Sequence, residues 1–351
     1  MTYIEEEEQV CQLILNNYEK NLQDYKDTII NNHVKNWLII ATGSSYNAAL
    51  SAKYYIQNIS EISIEVVEPF TFLNYDKIKQ STDFVLAISQ SGHSRSTIEA
   101  LKKVNLTRNF PIAVLTANVT SPITKYADTI INIGCGEEKV GFVTKGFTAT
   151  VLNLMLMGLV SADAYGSINH AKQLEELYDF ENIIKQIPKV VNIAKDFYQQ
   201  NYLKLNSINR LSIIGYGPTY GTAKEGETKF TETIRIPTHG HELEAFMHGP
   251  YLEINKNYGL FFIFNESPNK NRAIKLRDYL QKYTNHCYAV TTGIDPIESS
   301  ISINFNIDEF KSPLLLTVPF QVLAYLISIG RRIDLNKKSF PDFHDKLESK
   351  I

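Results

Sequence analysis

Two short segments of this 351-residue sequence concentrate hydroxyl groups between an apolar run and a helical pattern. The polar side chains in the segments TGSSYN and SQSGHS include Ser44, Ser45, Ser89, Gln90, Ser91 and Ser94. At a strand-to-helix turn, backbone N–H groups and the positive end of the helix dipole converge beside such side chains. Neutral donors can satisfy the oxygen atoms of a phosphate without a lysine. N-capping would account for one serine per helix, so the two segments predict a site for a small phosphorylated ligand.

A second group of residues could transfer protons. Glu225, Lys229 and Glu232 follow the spacing of one helical stripe, which usually forms a solvated face with an ion pair. We expect that arrangement for Glu225 and for Glu227. Glu232 differs because it falls in the last turns before IRIPT, and His248 follows it in MHGP. A carboxylate and an imidazole at one site can divide acid and base work on a sugar near neutral pH.

Metal and thiol chemistry find little support in the sequence. His239, His241 and His248 lack a zinc-ligand spacing and no cysteine joins them, so no metal and no cofactor are expected. His239 and His241 are predicted to lie at the surface or to support other groups. The cysteines are far apart and are expected to be wholly or partly buried free thiols. They are Cys11, Cys135 and Cys287.

The composition indicates a globular protein with a small-molecule partner. Hydrophobic residues make up 44% of the chain and the formal net charge is -3, with no basic cluster of the kind that binds nucleic acid. No continuous apolar run reaches about 18 residues, and the N-terminal segment MTYIEEEEQV is acidic where a secretory signal is basic. The expected location is therefore cytoplasmic, without nucleic-acid or membrane partners.

The elements that must position these residues alternate between strands and helices. An amphipathic helix is predicted over the first 32 residues, and apolar strands are predicted at NWLIIATG, ISIEVV, FVLAIS, IAVLT and TIINI. Segments of helical length separate the strands, which indicates a doubly wound parallel sheet with helices on both faces. The apolar segment GFTATVLNLMLMGLVSA is predicted to be a helix that closes this half, and YGSINHAKQLEELYDFEN a polar connection.

The second half of the chain repeats the first with an offset of 174 residues. Three pairs share this offset: Gly43 and Gly217, Ser45 and Thr219, and Tyr46 and Tyr220. The segments LFFIF and CYAVTT continue the match to FVLAIS and IAVLT. The second copy has NESPNKN in place of the hydroxyl segment, so one copy is expected to bind the anion while the other supplies a different part of the site.

Six segments, taken in order, resemble a known family. TGSSYN, ISQSG, TKGFT, AKEGETKFTE, MHGP and LLLTVPFQVLAYLISIGRRIDL together are similar to the sugar isomerase (SIS) domain pair of glucosamine-6-phosphate synthase and of its shorter relatives, the fructosamine-6-phosphate deglycases. The matches extend over about residues 36 to 335. The resemblance implies an α/β protein with two tandem flavodoxin-like SIS domains, each a doubly wound parallel sheet, related by internal duplication.

The resemblance also implies how functions are divided along the chain. The expected parts are an N-terminal helix over 1–34, a sugar-phosphate-binding SIS domain over 35–165, a second SIS domain over 183–335 and a C-terminal tail over 336–351. The second SIS domain would contribute the catalytic Glu and His, and the tail would lie near the active site. The resemblance further implies a homodimer with a shared active site and a sugar phosphate as the small-molecule partner.

Carried over residue by residue, the resemblance assigns roles to the segments described above. The implied phosphate-binding residues are Ser44, Ser45, Ser89, Gln90, Ser91 and Ser94, the last at the position of the family's usual threonine. Gly43 and Lys229 are implied to bind the substrate. Glu232 matches the proton-shuttling carboxylate. His248 matches a histidine that assists ring opening or proton transfer and is typically supplied by the neighbouring subunit.

Departures from the family pattern change the expected chemistry. Thr2 stands where the synthase presents a processed cysteine, so no glutaminase domain is expected. His93 replaces a common glutamate and Val143 replaces a ligand-binding serine, which alters the edge of the sugar site. Pro341 takes the place of the synthase's Schiff-base lysine, so that role is not carried over. The nearby lysines, all out of register, are Lys337, Lys338, Lys346 and Lys350.

Without that lysine, Glu232 and His248 suit a substrate that already carries nitrogen, because the amine supplies the electron pull of an imine. The expected activity is that of a fructosamine-6-phosphate deglycase, which acts on an amine-linked sugar 6-phosphate by acid–base enolamine chemistry. Aldose–ketose isomerisation and deamination of an amino-sugar phosphate are alternatives on the same residues. A non-catalytic sugar-phosphate sensor is a third alternative, disfavoured because a pure binder needs only the serine segments.

Overall fold

The computed structural model describes residues 1–107, 109–293, 297–337 and 339–351. The chain divides into two units, each with its own sheet and core. The N-terminal unit comprises Gln9–Lys139, Lys145–Glu181 and Lys338–Ile351. The C-terminal unit comprises Met1–Glu8, Val140–Thr144 and Asn182–Lys337. The short segment Val140–Thr144 therefore groups with the C-terminal unit although the residues on either side of it belong to the other.

The N-terminal unit is built on a five-stranded parallel sheet. Its strands are β1 Asn36–Ile40, β2 Ser63–Val67, β3 Phe84–Ile88, β4 Ile112–Thr116 and β5 Thr129–Asn132. They lie in the order β2-β1-β3-β4-β5. Every residue of β3 and β4 is buried, which is why these strands read as continuous apolar runs rather than as an alternating pattern. All five predicted strands are confirmed, with ends that differ from the prediction by no more than three residues.

The C-terminal unit repeats this sheet. Its strands are β6 Leu211–Gly215, β7 Thr238–Glu242, β8 Gly259–Phe264, β9 His286–Thr292 and β10 Ser300–Ile303, all parallel. Their order is β10-β9-β8-β6-β7. Read from the β7 end, this is the order of the first sheet with each strand replaced by its counterpart, so the predicted duplication is confirmed. Gly43 and Gly217 occupy the same turn in the two copies, with φ of 59° and 51°. That left-handed conformation favours glycine.

Helices connect the strands and cover the sheets. They are α1 Thr2–Glu5, α2 Glu7–Asn21, α3 Gln23–Asn32, α4 Ser44–Ile59, α5 Pro69–Asn74, α6 Arg95–Thr107, α7 Lys145–Ala164, α8 His170–Ile184, α9 Ile187–Gln200, α10 Tyr202–Ser207, α11 Thr219–Thr233, α12 Leu243–Phe246, α13 Lys270–Leu280, α14 Pro313–Leu316, α15 Val318–Gly330 and α16 Phe343–Lys346. Two 3₁₀ helices span Pro122–Tyr126 and Pro250–Glu253. The predicted single N-terminal helix is thus three helices, and most of the predicted polar connection is α8.

Aromatic side chains form the centre of each core. In the N-terminal unit, Trp37, the only tryptophan of the sequence, is buried against Tyr25 and Phe84 at ring-centroid distances of 5.9 and 5.5 Å. In the C-terminal unit, Phe261 packs on Phe320 at 5.8 Å. Aromatic pairs at these distances add to the hydrophobic stabilisation of a core.

Two helical stretches among the described residues reach the length and apolarity of a membrane span. They are 145–164 and 313–330, the latter comprising α14 and α15. Of the two hydropathy windows, 89% and 78% of the residues are buried inside the structure, as in the core helices of a globular fold.

Strand β7 approaches helix α11 unusually closely. A Cβ atom added at Gly240 would lie 2.5 Å from the carbonyl oxygen of Ala223 and 2.9 Å from the backbone nitrogen of Lys224. Only glycine fits there without a shift of backbone, because such contacts are shorter than van der Waals separation. The glycine in HGHE therefore serves packing between a strand and a helix.

Candidate functional site

The first hydroxyl segment lies at the start of α4. Gly43 is the N-cap residue, so Ser44 and Ser45 are the first two residues of the helix and lie at its positive end. Both serines are partly exposed. No atom lies within 4 Å of where a Cβ of Gly43 would be, so the turn opens onto free space. This geometry suits an anion at the helix N-terminus.

The second hydroxyl segment connects β3 to α6. The backbone N–H of Gly92 donates to the carbonyl of Ser89 at 3.0 Å, and Gly92 has φ of 69°. Ser91 is exposed at the turn, whereas Ser89 is 6% exposed. The hydroxyl of Ser94, next to the first residue of α6, accepts a hydrogen bond from Thr97 Oγ1 at 3.0 Å. Ser94 thus takes part in the start of the helix, while Ser91 remains accessible.

The sheet order brings the two segments together. Strands β1 and β3 are neighbours, and each leads into one of the segments at its carboxyl end. The chain order reverses between these two strands, which is where open α/β sheets bind ligands. Both hydroxyl segments therefore lie at one switch point of the N-terminal unit.

The end of the C-terminal tail lies on the second hydroxyl segment. Lys350 forms an antiparallel bridge with Ser94, and the backbone N–H of Ile351 donates to the carbonyl of His93 at 3.0 Å. The guanidinium of Arg95 pairs with Glu348 at 3.0 Å. Pro341 is exposed. Lys338, one of the lysines considered above, lies outside the described residues.

A different cleft lies at the opposite edge of the same sheet. Its volume is about 630 Å³, and its described lining includes Asp83, Lys103 and Pro111, near the amino ends of β3 and β4. The Lys103 ammonium donates to three carbonyl oxygens at the end of α5, those of Phe72 at 2.7 Å, Leu73 at 3.0 Å and Asp76 at 2.8 Å. This lysine therefore stabilises a helix C-terminus.

In the C-terminal unit, α11 carries the carboxylates predicted from the sequence. The Lys229 ammonium lies 2.8 Å from Glu232 Oε2 and 3.5 Å from Glu225 Oε1. It also donates to the carbonyl oxygen of Val143 at 2.7 Å. The side chain of Glu232 is 34% exposed, so one carboxylate oxygen is held by lysine while the group still reaches solvent.

The expectation that Glu225 lies on a solvated face is wrong. Its side chain is 0% exposed and that of Lys229 is 4% exposed. The stripe faces the interior because α11 packs between strands β6 and β7 on one side and α15 on the other. Glu227 fits the expectation better, since it is partly exposed and pairs with Lys224, although it also accepts the N–H of Gly240 at 2.7 Å.

Two side chains hold the backbone of Val140–Thr144 within the C-terminal unit. Besides the Lys229 contact to Val143, the amide nitrogen of Gln321 on α15 donates to the carbonyl of Thr144 at 3.2 Å. Gln321 is 3% exposed. The segment in which valine replaces the family's ligand-binding serine is therefore fixed by the same lysine that holds Glu232.

The histidines occupy separate environments. His248 is exposed, between α12 and the 3₁₀ helix Pro250–Glu253. His239 is exposed and His241 is partly buried, with their ring centroids 5.8 Å apart. Burial, reinforced by the neighbouring His239, lowers the pKa of His241. The three cysteines are free and buried, as predicted, and burial, then the nearby Glu138, raises the pKa of Cys135 to about 12.

Glu138, which contacts the second hydroxyl segment in the N-terminal unit, was not predicted from the sequence. Its carboxylate accepts a hydrogen bond from the side-chain amide of Gln90 at 2.7 Å and from the backbone N–H groups of Lys145 and Gly146, each at 3.2 Å. A capping glutamate normally lies at the third helical position, whereas Glu138 lies seven residues before α7 begins. No local signature could have singled it out.

The fold defines a class of protein: a tandem pair of flavodoxin-like α/β domains, with two hydroxyl-rich segments at the switch point of one sheet and a helix that carries Glu225, Lys229 and Glu232 in the other. The chain belongs to the SIS domain family, whose model matches residues 32–160 and 204–329. This agrees with the resemblance drawn from the six segments.

Relatives and solved structures agree with this membership. The chain is 27% identical over 327 residues to the isomerising glutamine–fructose-6-phosphate aminotransferase of Bacteroides thetaiotaomicron, a match that covers 90% of this chain and 51% of that protein. The chain thus spans about half the length of the curated relatives it matches.

Among solved structures, a candidate phosphosugar isomerase of Clostridium difficile 630 is 30% identical, with a TM-score of 0.91 over 99% of this chain and 98% of that one. The C-terminal domain of glucosamine-fructose-6-phosphate aminotransferase from Francisella tularensis has the same fold, with a TM-score of 0.87, 21% identity, and coverage of 95% of this chain and 96% of that chain. The chain is therefore an SIS protein of the phosphosugar-isomerase type.

Proposed function

We propose that this protein is a cytoplasmic enzyme with fructosamine-6-phosphate deglycase activity, which releases an amine from a sugar 6-phosphate. The observation that carries the proposal is the Lys229–Glu232 pair, a lysine-held carboxylate that still reaches solvent, in a chain whose other unit has two hydroxyl-rich helix starts. A binding module would need only the hydroxyl segments. A buried lysine that orients a glutamate is a device for positioned proton transfer.

In the proposed reaction, the phosphate is held by the serine hydroxyls and helix-start N–H groups of Ser44, Ser45, Ser89 and Ser91. His248 assists opening of the sugar ring. Glu232 then removes a proton from C1, the carbon that bears nitrogen, and the electron pair forms a C1–C2 double bond while the C2 oxygen gains a proton.

Return of the proton from Glu232 to C2, with loss of the proton on nitrogen to balance the one gained by the C2 oxygen, gives an imine at C1. Water adds to the imine and the amine leaves, so the net products are an aldose phosphate and a free amine, with no change of oxidation state overall. Because the substrate's own nitrogen forms the imine, no lysine of the chain has to do so. In this scheme Lys229 holds the carboxylate of Glu232 in place. The predicted contact of Lys229 with the substrate would be made while it holds that carboxylate.

The second candidate is a phosphosugar aldose–ketose isomerase, favoured by the similarity to the Clostridium difficile protein, which is described as a candidate phosphosugar isomerase. The same carboxylate would shuttle the proton between C1 and C2 of a sugar without nitrogen. Deamination of an amino-sugar phosphate uses the same steps with C1 and C2 exchanged: the proton leaves C2, which bears the nitrogen, and returns to C1, and water releases ammonia from the C2 imine to give a ketose phosphate. In each case we propose a homodimer in which His248 is supplied by the neighbouring subunit.

The test is a substrate panel with product identification. Purified protein is incubated with a fructosamine 6-phosphate, fructose 6-phosphate and glucosamine 6-phosphate, and the amine, ammonia and hexose phosphates formed are measured. Release of the amine from the first compound supports the deglycase, interconversion of fructose and glucose 6-phosphates without nitrogen release supports the isomerase, and ammonia from the third supports the deaminase.

Glu232→Gln is expected to lower turnover by about 10²- to 10⁴-fold, because a positioned general base is lost. The matched control is Glu227→Gln on the same helix, which should retain activity. If Glu232→Gln stays folded and turns over every active substrate as fast as the unsubstituted protein does, the catalytic role of Glu232 is refuted.

A further inference from the structure

We propose that Glu138 is a positioning residue of the phosphate site: it ties the second hydroxyl segment to the first turn of α7, and the side chain of Gln90 serves as the strut between them rather than as a side-chain ligand of the phosphate. This inference rests on the proposed function, because it concerns how the phosphate is held. It changes the role expected of Gln90, which the family resemblance assigns to the phosphate.

The hydrogen bonds of the Gln90 amide leave it no donor for an anion. One N–H direction of Nε2 is taken by Glu138 Oε2 at 2.7 Å, and Nε2 also lies 3.8 Å from Cys135 Sγ. The remaining polar atom, Oε1, is buried and without a hydrogen bond among the described residues. Since oxygen can only accept, this end of the amide repels a phosphate rather than binding it. A carboxylate partner also fixes which end of the amide is nitrogen.

The main chain of Gln90 is fixed as well. Its carbonyl oxygen accepts the backbone N–H of Ala117 at 3.0 Å and the hydroxyl of Thr116 at 3.2 Å. The residue is therefore anchored at both ends, whereas the neighbouring Ser91 is exposed. This arrangement is expected if Gln90 holds the backbone of the segment in place while the hydroxyl of Ser91 stays accessible to a ligand.

The close packing at Gly146 gives an independent sign of the same contact. A Cβ atom added there would lie 2.3–2.5 Å from three atoms of the Gln90 amide. The amide thus rests directly on the backbone of the first turn of α7. A side chain at this position would displace the Gln90 amide from the helix start.

The negative charge of Glu138 lies at the start of α7 and disfavours a phosphate there. Its carboxylate accepts the N–H groups of Lys145 and Gly146, which are among the donors that a helix start leaves without an intrahelical partner. It also complements the positive end of the 20-residue helix α7. A second anion is therefore directed away from α7, to the starts of α4 and α6.

The experiment is a double-mutant cycle in binding. Affinities for glucose 6-phosphate and for inorganic phosphate are measured by titration calorimetry for the unsubstituted protein, Glu138→Ala, Gln90→Ala and the double variant, with Glu137→Ala as the control at an exposed neighbour. We expect each single change to weaken sugar-phosphate binding on the order of tenfold, the loss of one hydrogen bond to a charged group. The double variant should be no weaker than the singles, because both remove the same strut.

A second variant separates positioning from a general loss of structure. Glu138→Gln can still accept the helix N–H groups, and the Gln90 amide can rotate to accept a bond from it, so this variant should recover most of the affinity. On whichever panel substrate is turned over, Glu138→Ala should raise KM while kcat at saturation stays near that of the unsubstituted protein. A purely structural defect would instead lower the active fraction and leave KM unchanged.

Multiplicative effects in the cycle, or Glu138→Ala binding as tightly as the unsubstituted protein, would overturn the inference while leaving the proposed function intact. If the unsubstituted protein binds no phosphosugar at all, the proposed function fails and this inference falls with it.

Discussion

Lys229 joins two carboxylates and a carbonyl in the interior of the C-terminal unit, and the consequence of removing it can be estimated. Lys229→Met takes the ammonium away from Glu225, whose side chain is fully buried. Breaking a buried ion pair in this way costs about 3–5 kcal/mol of unfolding free energy. The measurement is chemical denaturation.

The matched control for that prediction is Lys224→Met, which breaks the partly exposed pair with Glu227 on the same helix. It should cost only about 0–1 kcal/mol. Equal losses for the two variants would show that the Lys229 cluster is no more than a surface ion pair.

For single residues, the sequence identifies candidate functional groups better than it predicts their burial and their contacts. The spacing of Glu225, Lys229 and Glu232 places them on one stripe, but spacing is the same for a stripe that faces water and one that faces a sheet. Burial of Glu225 follows from packing that the local pattern does not contain. Glu138 and Gln90 meet across 48 positions of sequence, so their contact likewise has no local signature.

The packing of β7 on α11 makes a prediction at the scale of elements. Gly240→Ala would place a methyl group 2.5 Å from the Ala223 carbonyl oxygen, so the strand or the helix must move. Overpacking of this kind costs about 1–3 kcal/mol or more. Gly141→Ala, where no atom lies within 4 Å of the added carbon, should change stability by less than about 0.5 kcal/mol. Thermal unfolding of both variants decides the matter, and comparable Tm values would contradict the predicted clash.

Strands were predicted more reliably than connections. Runs such as FVLAIS and IAVLT are short, apolar and rich in β-branched residues, and burial on both faces makes them readable without context. The segment YGSINHAKQLEELYDFEN contains most of α8 but has the pattern of a polar connection, because its apolar residues are sparse and acidic residues separate them. Its helix is held by tertiary contacts such as Tyr55 to Glu176 at 2.9 Å.

For the whole molecule, two histidines predict how stability depends on pH. Burial lowers the pKa of His241, helped by His239, and burial lowers the pKa of His286, helped by Lys204. Below the ordinary histidine pKa of about 6.5, the unfolded chain takes up protons that the folded chain does not. The contribution of these histidines to the free energy of unfolding should therefore be complete well above that value, and it should be lost progressively as the pH falls through about 6.5.

Denaturant titrations across that range check the prediction. Replacing His241 and His286 by glutamine should flatten the slope, whereas His170→Gln, at an exposed position, should leave it unchanged. Burial, then Asp308, raises the pKa of the Glu309 carboxyl, so that group contributes with the opposite sign as it titrates. Stability that rises on acidification across this interval would refute the assignment.

The aromatic cluster around Trp37 has a practical consequence. Because the chain contains one tryptophan and that residue is buried beside Tyr25 and Phe84, selectively excited indole emission observes the N-terminal unit alone. Circular dichroism, by contrast, averages over helices from both units. Trp37 is thus an intrinsic fluorescence probe of the unit that contains the hydroxyl segments. Comparing the two signals during denaturation shows whether the two units unfold in one cooperative step or in two.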